Sequence, residues 1–131
     1  MIEHPQSVVL VVLDGDEVVC VRQPRPGAGG DVLELPAGTL EPGETPRAAA
    51  DRELAEECGL AVGEWAQLGA FWAAPAYSTE RVTAFAGTVS GRAFGEPDDD
   101  EEIAVVRLPL EKALDRLEDA GSVAALGLYL R

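Results

Sequence analysis

One stretch of this chain has well-defined helix boundaries, and it limits the fold more than any other. Thr45 is a residue type that caps helix N-termini, and Pro46 suits the first helical position. The segment Arg47 to Cys58 contains no glycine or proline, and Gly59 suits the left-handed residue that follows a helix. The sequence therefore predicts a helix here.

Three glutamates of this predicted helix share one face. Glu53, Glu56 and Glu57 fall within an arc of roughly 100°, because a helix advances about 100° per residue. Like charges at these spacings repel each other, so the arrangement calls for a compensating cation. Hard divalent ions with oxygen ligands, Mg²⁺ or Mn²⁺, are the natural partners. The alternative interpretation is a solvated acidic helix face without a site.

The overall charge narrows the choice of partners. The 131 residues carry 24 Asp and Glu against 10 Lys and Arg, which gives a formal net charge of −14. An apolar fraction of 47% argues against a disordered chain. A surface this negative repels polyphosphate backbones and anionic membranes, so nucleic-acid and membrane binding are poor hypotheses. A small anionic substrate would need a bound divalent cation or a few arginines to offset the repulsion.

The remaining segments predict one α+β domain over residues 1–131. Strands are expected at 8–13, 18–22, 32–35, about 64–72, 81–89 and 103–108, and further helices at 109–120 and from Ser122, as N-cap, to Arg131. The Pro- and Gly-rich segment 23–31, which carries Arg25, is expected to be a loop. Strands, helix, strands and helix in this order favour a mixed sheet with helices packed on it.

The cysteines and the N-terminal segment bear on the compartment. Cys20 and Cys58 fall in predicted core elements and lack metal-ligand spacing, which favours reduced thiols. The segment Met1 to Val12 lacks the basic region of a targeting signal, and the longest apolar runs are shorter than a membrane span. We therefore expect a cytoplasmic protein.

The predicted helix belongs to a longer pattern that spans Gly38 to Leu60, Gly-x5-Glu-x7-Arg-Glu-Leu-x-Glu-Glu-x-Gly-Leu. Every defined position matches the signature of the Nudix hydrolases, and the chain resembles that family. The resemblance implies an α/β/α sandwich with a mixed β-sheet, and hydrolysis of a nucleoside diphosphate linked to another group. It also implies Mg²⁺ or Mn²⁺ as cofactor. The ligands it implies are Glu53, Glu56, Glu57 and the backbone carbonyl of Ala37.

The same resemblance implies that Glu56, Glu57 and Arg52 are catalytic residues. Arg52 is expected to hold the carboxylates in place together with Glu44 at the helix N-terminus. The chemistry is consistent with this assignment, since cleavage of a pyrophosphate requires screening of the phosphate charge and activation of a water molecule.

The general base has two possible sources. In family members that hydrolyse ADP-ribose, an acidic loop after the central strands commonly supplies it, and Glu101 and Glu102 occupy that place just before the strand expected at Ile103. A glutamate of the Gly38 to Leu60 motif is the alternative. For Asp98 to Asp100, a solvated acidic loop is the preferred interpretation.

Residues outside the motif resemble the ADP-ribose pyrophosphatase branch of the family. They are Val21-Arg22-Gln23-Pro24-Arg25-Pro26, Leu33-Glu34-Leu35-Pro36-Ala37-Gly38, and Pro75, which stands fifteen residues beyond the motif. The branch implies hydrolysis of ADP-ribose, or of a related nucleoside diphosphate sugar, to AMP and ribose 5-phosphate in the ADP-ribose case. The alternatives are a nucleoside triphosphate or dinucleoside polyphosphate pyrophosphohydrolase, and a non-catalytic nucleotide-sensing module.

Several residues near these segments are candidates for substrate binding. Arg25 and Arg22 are candidates for the diphosphate because guanidinium groups pair well with phosphate oxygens. Glu34 is a candidate for the ribose or adenine side, and Trp72 and Tyr77 are candidates for stacking on the base. Ordinary surface or core roles are the alternatives for each. The expected partner is a small nucleotide, and a homodimer is the assembly that the resemblance suggests.

Overall fold

The computed structural model of this protein describes residues 1–94 and 103–131. Within these ranges the chain forms eight strands, three α-helices and one 3₁₀ turn at Pro26–Ala28. The strands are β1 Ser7–Asp14, β2 Glu17–Arg25, β3 Gly30–Glu34, β4 Ala37–Thr39, β5 Leu60–Val62, β6 Ala66–Trp72, β7 Arg81–Arg92 and β8 Ala104–Pro109. The α-helices are α1 Pro46–Cys58, α2 Leu110–Arg116 and α3 Ala120–Leu130.

Strand β1 lies at the centre of a mixed sheet with the order β3-β2-β1-β7-β5. It runs parallel to β7 and antiparallel to β2 and β4. Strand β6 pairs with β7, and β8 pairs with β2, both antiparallel. The predicted mixed sheet is therefore confirmed.

Both faces of β1 are buried. Its even-numbered apolar residues pack with Leu54 of α1, and its odd-numbered ones pack with Leu117 and with Leu126 of α3. The two sets are Val8, Leu10 and Val12, and Val9, Val11 and Leu13. Because side chains alternate along a strand, a continuous apolar run is typical of a strand covered on both sides. Helices on both faces confirm the predicted α/β/α sandwich.

Helix α1 has the predicted boundaries. The Thr45 side chain accepts a hydrogen bond from the Ala48 backbone N–H at 3.2 Å. Gly59 follows the helix with φ of 67°, and its N–H donates to the Ala55 carbonyl at 3.0 Å. Both ends of α1 are thus fixed by local contacts, which is why the sequence identifies this helix so clearly.

The prediction of a loop at 23–31 is wrong. Strand β2 continues to Arg25 and pairs with β3, so that Arg25 lies opposite Gly30, and only the 3₁₀ turn separates the two strands. Pro24 lacks an N–H and yet lies within the strand, a position that proline tolerates only where no ladder hydrogen bond depends on it. Pairing over five positions outweighs the local turn composition.

The boundaries in the second half of the chain also differ from expectation. The strand expected near 64–72 begins at Ala66, a separate strand occupies Leu60–Val62, and the second long strand continues to Arg92. The short strand Ala37–Thr39 is not among the predicted strands, and it pairs with the start of β1.

The C-terminal helices have different caps from those predicted. Helix α2 ends at Arg116, and Leu117 is extended. Asp119, not Ser122, caps α3: its carboxylate accepts a hydrogen bond from the Ser122 N–H at 3.1 Å. Ser122 lies inside the first turn, and its hydroxyl accepts from the Leu35 N–H at 2.8 Å, a contact between distant segments that local sequence does not reveal.

Two further predictions concern the thiols and the membrane. Cys20 and Cys58 are free thiols, and burial raises the pKa of Cys20 to about 11 and the pKa of Cys58 to about 12. No helix within the described ranges has the length and apolar character needed to cross a membrane.

Candidate active site

An open cavity of about 740 Å³ lies beside the N-terminal end of β1 and the first turn of α3. Its lining contains three groups of polar side chains. The first is Glu53 and Glu57 of α1, the second is Gln23, Arg25 and Glu34 of β2 and β3, and the third is His4, Ser7 and Glu80. Gly38 lies in the lining next to the first group.

Arg52 is the centre of a carboxylate network on α1. It donates to both oxygens of Glu44, at 2.8 and 2.9 Å. Its Nη1 donates to Glu53 at 2.9 Å and to Glu56 at 3.2 Å, and its Nη2 donates to the Thr39 carbonyl at 2.9 Å. One guanidinium therefore holds two of the three glutamates that share the helix face, and it offsets their mutual repulsion.

These contacts shift the ionisation of the pair. The hydrogen bonds from Arg52 lower the pKa of Glu44 below its ordinary value. The same bonds raise the pKa of Arg52, which therefore keeps its charge. The expected supporting pair of Arg52 and Glu44 is brought together by the structure.

The backbone of β4 sets the positions of the carboxylates that line the cavity. The Ala37 N–H donates to Glu57 Oε1 at 3.1 Å. A Cβ built at Gly38 would overlap the carboxyl group of Glu53, so the glycine leaves the space that this group occupies. Glu53 and Glu57 both line the cavity, whereas Glu56 does not.

The carboxylates of α1 are the candidate ligands for a metal ion. Across residues 1–94 and 103–131, no group of three or more His, Cys, Asp or Glu side chains is arranged to hold a metal ion. The donor chemistry nevertheless suits a hard divalent cation, because Glu53 and Glu57 bring carboxylate oxygens to one cavity and Gly38 leaves room beside them. Two of the four expected ligands, Glu53 and Glu57, thus have the chemistry for a hard divalent cation, and the assignment of Glu56 and the Ala37 carbonyl stays a prediction.

A second arginine and its carboxylate also line the cavity. Arg25 Nε and Nη2 donate to the two oxygens of Glu34, both at 2.8 Å. Glu34 is buried, and Gln23 also donates to it, at 3.4 Å. The hydrogen bond with Glu34 raises the pKa of Arg25, so this guanidinium stays charged and fixed in direction.

The other predicted site residues lie in different places. Trp72 lines the cavity, whereas Tyr77, 60% exposed, and Arg22 do not. Glu101 and Glu102, the candidates for the general base, lie outside the described residues.

Several lining residues were missed by the sequence reasoning. The Ser7 hydroxyl donates to Glu80 at 2.5 Å, and His4 Nδ1 lies 3.7 Å from the same carboxylate oxygen. Asp119 lines the cavity too, and its Oδ1 is buried with no hydrogen-bond partner among the residues that the structure describes. The sequence signal for Asp119 is its helix-capping type before α3. For His4 and Glu80 the contact spans most of the chain, and no local signal exists.

A family comparison decides what kind of domain this is. The model of the NUDIX domain matches residues 3–126. The chain belongs to the Nudix family. The resemblance that the motif from Gly38 to Leu60 indicated is thereby confirmed.

Relatives of this Nudix chain include pyrophosphatases of ADP derivatives. It is 35% identical over 121 residues to the ADP-ribose pyrophosphatase of Bacillus subtilis strain 168. That match covers 90% of this chain and 65% of that protein. It is 38% identical over 112 residues to the ADP-sugar pyrophosphatase of Mus musculus, covering 80% of this chain and 51% of that protein. The chain thus spans less than two thirds of the length of these two relatives.

The fold of the Nudix chain also matches a solved structure. The crystal structure of an ADP compounds hydrolase superposes with a TM-score of 0.86 at 26% sequence identity. The match covers 95% of this chain and 70% of that one. The α+β architecture described above is therefore that of a known Nudix-type enzyme fold.

Proposed function

We propose that this Nudix protein is a Mg²⁺-dependent pyrophosphatase that hydrolyses ADP-ribose or a related nucleoside diphosphate sugar. In the ADP-ribose case the products are AMP and ribose 5-phosphate. The observation that carries the proposal is the cavity that joins Glu53 and Glu57 to the Arg25–Glu34 pair. The names of the relatives from Bacillus subtilis and Mus musculus support the same substrate class.

The charge of the cavity explains why a cation belongs to the proposal. A diphosphate is anionic, and the carboxylates of α1 alone would repel it. Glu53, Glu56, Glu57 and the Ala37 carbonyl would hold Mg²⁺, which when bound screens the phosphate charge and lowers the pKa of bound water. Mn²⁺ has the same ligand preference and is the alternative ion.

The protein's own groups have separate tasks in this reaction. Arg52 keeps Glu53 and Glu56 in place, and the Ala37 N–H orients Glu57. Arg25, aligned by Glu34, binds the diphosphate through the part of its guanidinium that faces the cavity. These groups position an anionic phosphorus centre next to the carboxylates, which is the main requirement of phosphoryl transfer.

A general base must accept a proton from the attacking water. Glu101 and Glu102 remain our candidates, and Glu57 is the alternative within the motif. Replacement of Glu101 and Glu102 by Gln, singly and together, distinguishes these sources. A general base at Glu101 or Glu102 predicts a loss of kcat and a changed acid limb of the pH profile for one of these variants.

The test of the activity is a substrate panel with purified protein and Mg²⁺. It contains ADP-ribose, ADP-glucose, a dinucleoside polyphosphate and a nucleoside triphosphate, and it measures kcat/KM and products. We expect the highest kcat/KM for ADP-ribose or the ADP-sugar, with AMP as one product. Absence of turnover on every compound would overturn the proposed activity, and a preference for the triphosphate would overturn the substrate class.

A second candidate is a broader activity on ADP compounds. It is favoured by the likeness to the ADP compounds hydrolase and by the open shape of the cavity. Similar kcat/KM values for ADP-ribose, ADP-glucose and an adenosine-containing dinucleoside polyphosphate would support it. A homodimer and a cytoplasmic location also remain part of the proposal, and sedimentation analysis tests the first of them.

A further inference from the structure

Helix α3 is bonded to the segment that directly follows β3. The Ser122 hydroxyl accepts a hydrogen bond from the Leu35 N–H at 2.8 Å, although 87 positions separate the two residues. Ser122 and Leu35 are both buried, at 0% and 1% exposure. A buried backbone N–H without a partner would be costly, so the hydroxyl fixes the chain immediately after Glu34, the last residue of β3.

The helix holds Ser122 itself in place. The Asp119 carboxylate accepts a hydrogen bond from the Ser122 N–H at 3.1 Å, which fixes the first turn of α3. Further along the helix, Ala125 and Leu126 are completely buried in the core cluster that contains Leu35. The contact between Ser122 and Leu35 therefore rests on a close-packed support.

Leu35 is the direct neighbour of the carboxylate that aligns Arg25. Glu34 is buried and accepts hydrogen bonds from Nε and Nη2 of Arg25, both at 2.8 Å. Because a planar peptide bond joins Glu34 to Leu35, a shift of the Leu35 N–H also moves Glu34. A guanidinium that is bonded through two N–H groups follows the orientation of its carboxylate. The contacts that begin at Ser122 thus lead to Arg25.

The charge of Asp119 also acts on Arg25. The hydrogen bond with Glu34 is the main cause that raises the pKa of Arg25, and the charges of Asp119 and Glu57 add to it. Asp119 and Arg25 both line the cavity. The first turn of α3 therefore lies close enough to the guanidinium to influence it directly as well as through β3.

We propose that Ser122, fixed by Asp119, is a positioning residue that sets the orientation of Arg25 for the diphosphate. The proposal rests on the proposed function, in which Arg25 binds the diphosphate. Ser122 is fully buried and does not reach the ligand, so its effect passes through Leu35 and Glu34. Loss of the hydroxyl should weaken ligand binding and leave the reacting groups of α1 in place.

Proton exchange at Arg25 tests this orientation without any reaction. The Arg25 Nε–H signal is followed by heteronuclear NMR in the protein without ligand, and its loss in Arg25→Gln confirms the assignment. We expect slow exchange in the unmodified protein and in Ser122→Thr, which keeps the hydroxyl, and about tenfold faster exchange in Ser122→Ala. Ser90→Ala removes a hydroxyl that donates to the Ala61 carbonyl outside the cavity, and this matched control should keep the slow exchange.

Ligand binding separates positioning from a loss of stability alone. Calorimetry with Mg²⁺ and a nonhydrolysable ADP-ribose analogue should give a dissociation constant about fivefold higher for Ser122→Ala and an unchanged one for Ser122→Thr. The kcat for ADP-ribose should change less than about twofold. In the Arg25→Gln background, Ser122→Ala should not raise the dissociation constant further, because both changes remove the same contact. A further fivefold rise there would overturn the proposal.

Asp119→Ala is the second variant, for the case that Ser122→Ala does not fold. It removes the cap of α3 at a partly exposed position, and it should speed the Arg25 exchange about threefold. Unchanged exchange in Asp119→Ala would then overturn the proposal.

The outcomes distinguish this proposal from the proposed function. Faster Arg25 exchange in Ser122→Ala, with no hydrolysis of any substrate by the unmodified protein, would support the positioning role and overturn the activity. Hydrolysis of ADP-ribose, together with unchanged Arg25 exchange and unchanged analogue binding in Ser122→Ala, would overturn the positioning role and leave the activity standing.

Discussion

Two arginines hold carboxylates that line the cavity, Arg52 through Glu53 and Arg25 through Glu34, and they differ in how their hydrogen bonds are used. Arg52 is 21% exposed and contacts Glu44, Glu53, Glu56 and the Thr39 carbonyl. Arg25 is 49% exposed, and its hydrogen bonds within the described part of the chain go to Glu34 alone. A guanidinium has five N–H donors. Arg52 therefore uses its N–H donors to hold the protein's own carboxylates, whereas Arg25 has N–H donors left that can bind a ligand.

Of the changes that test the comparison of the two arginines, the loss of Arg52 is expected to have the largest effect, because Arg52 makes the most contacts. Arg52→Gln removes the cation that holds Glu53 and Glu56, so we expect kcat for ADP-ribose to fall about 100-fold, the scale of losing a group that orients ligand side chains. KM should change little, because Arg52 does not reach the ligand. Steady-state kinetics measure both constants. The exposed Arg116→Gln is the control, and an unchanged kcat in Arg52→Gln would remove the contrast between the two arginines.

Arg25→Gln should weaken the binding of ADP-ribose and leave kcat largely unchanged. It removes a charge-assisted contact to the diphosphate, so we expect the dissociation constant for ADP-ribose to rise about tenfold or more, equivalent to roughly 1.5–3 kcal/mol. Calorimetry with Mg²⁺ and a nonhydrolysable ADP-ribose analogue measures this constant without hydrolysis. If kcat fell while the dissociation constant did not change, Arg25 would hold protein groups in place as Arg52 does, and it would not bind the diphosphate.

The space beside Gly38 gives a smaller and more local test. Gly38→Ala places a methyl group against the Glu53 carboxyl, which must then move. We expect kcat to fall about tenfold with little change in melting temperature, since small displacements at reacting groups are costly for rate. Gly91→Ala, where an added Cβ meets nothing within 4 Å, is the matched control. Equal kcat values for the two variants would show that the position of Glu53 does not matter.

The smallest effect concerns the pH dependence of stability. The folded-state pKa of Glu44 lies below its ordinary value of 4.5. The pair with Arg52 therefore stabilises the fold fully above that pH, and this contribution is lost as the pH falls through the folded pKa. We expect the melting temperatures of the unmodified protein and Glu44→Gln to differ at neutral pH and to converge in acid. A constant difference across this range would contradict the assigned pairing.

The sequence predicts the part of the site that is formed by contacts between residues close together in the chain. Thr45, Pro46 and Gly59 define α1 by contacts within a few residues, and the helical repeat places Glu53 and Glu57 on one face. The position of Arg52 in the motif also indicates its partners. These features need no knowledge of the rest of the chain.

The Arg25–Glu34 pair and the His4–Glu80 contact depend on pairings that the sequence does not display. Pro24 and the glycines after it predict a loop, yet pairing with β3 makes Arg25 part of a strand and sets it against Glu34. The contact of His4 with Glu80 joins residues far apart in the chain. Asp119 was overlooked because Ser122 is an equally good cap by residue type, and only the tertiary contact of Ser122 with Leu35 decides between them.

The central claim is that the carboxylates of α1 drive hydrolysis of a nucleoside diphosphate sugar. The most direct measurement is the turnover of ADP-ribose by Glu57→Gln in Mg²⁺, beside the exposed Glu111→Gln as control. We predict that kcat falls at least about 100-fold in Glu57→Gln, that ADP-ribose binding is largely kept, and that Glu111→Gln matches the unmodified protein. Unchanged turnover in Glu57→Gln would contradict the account.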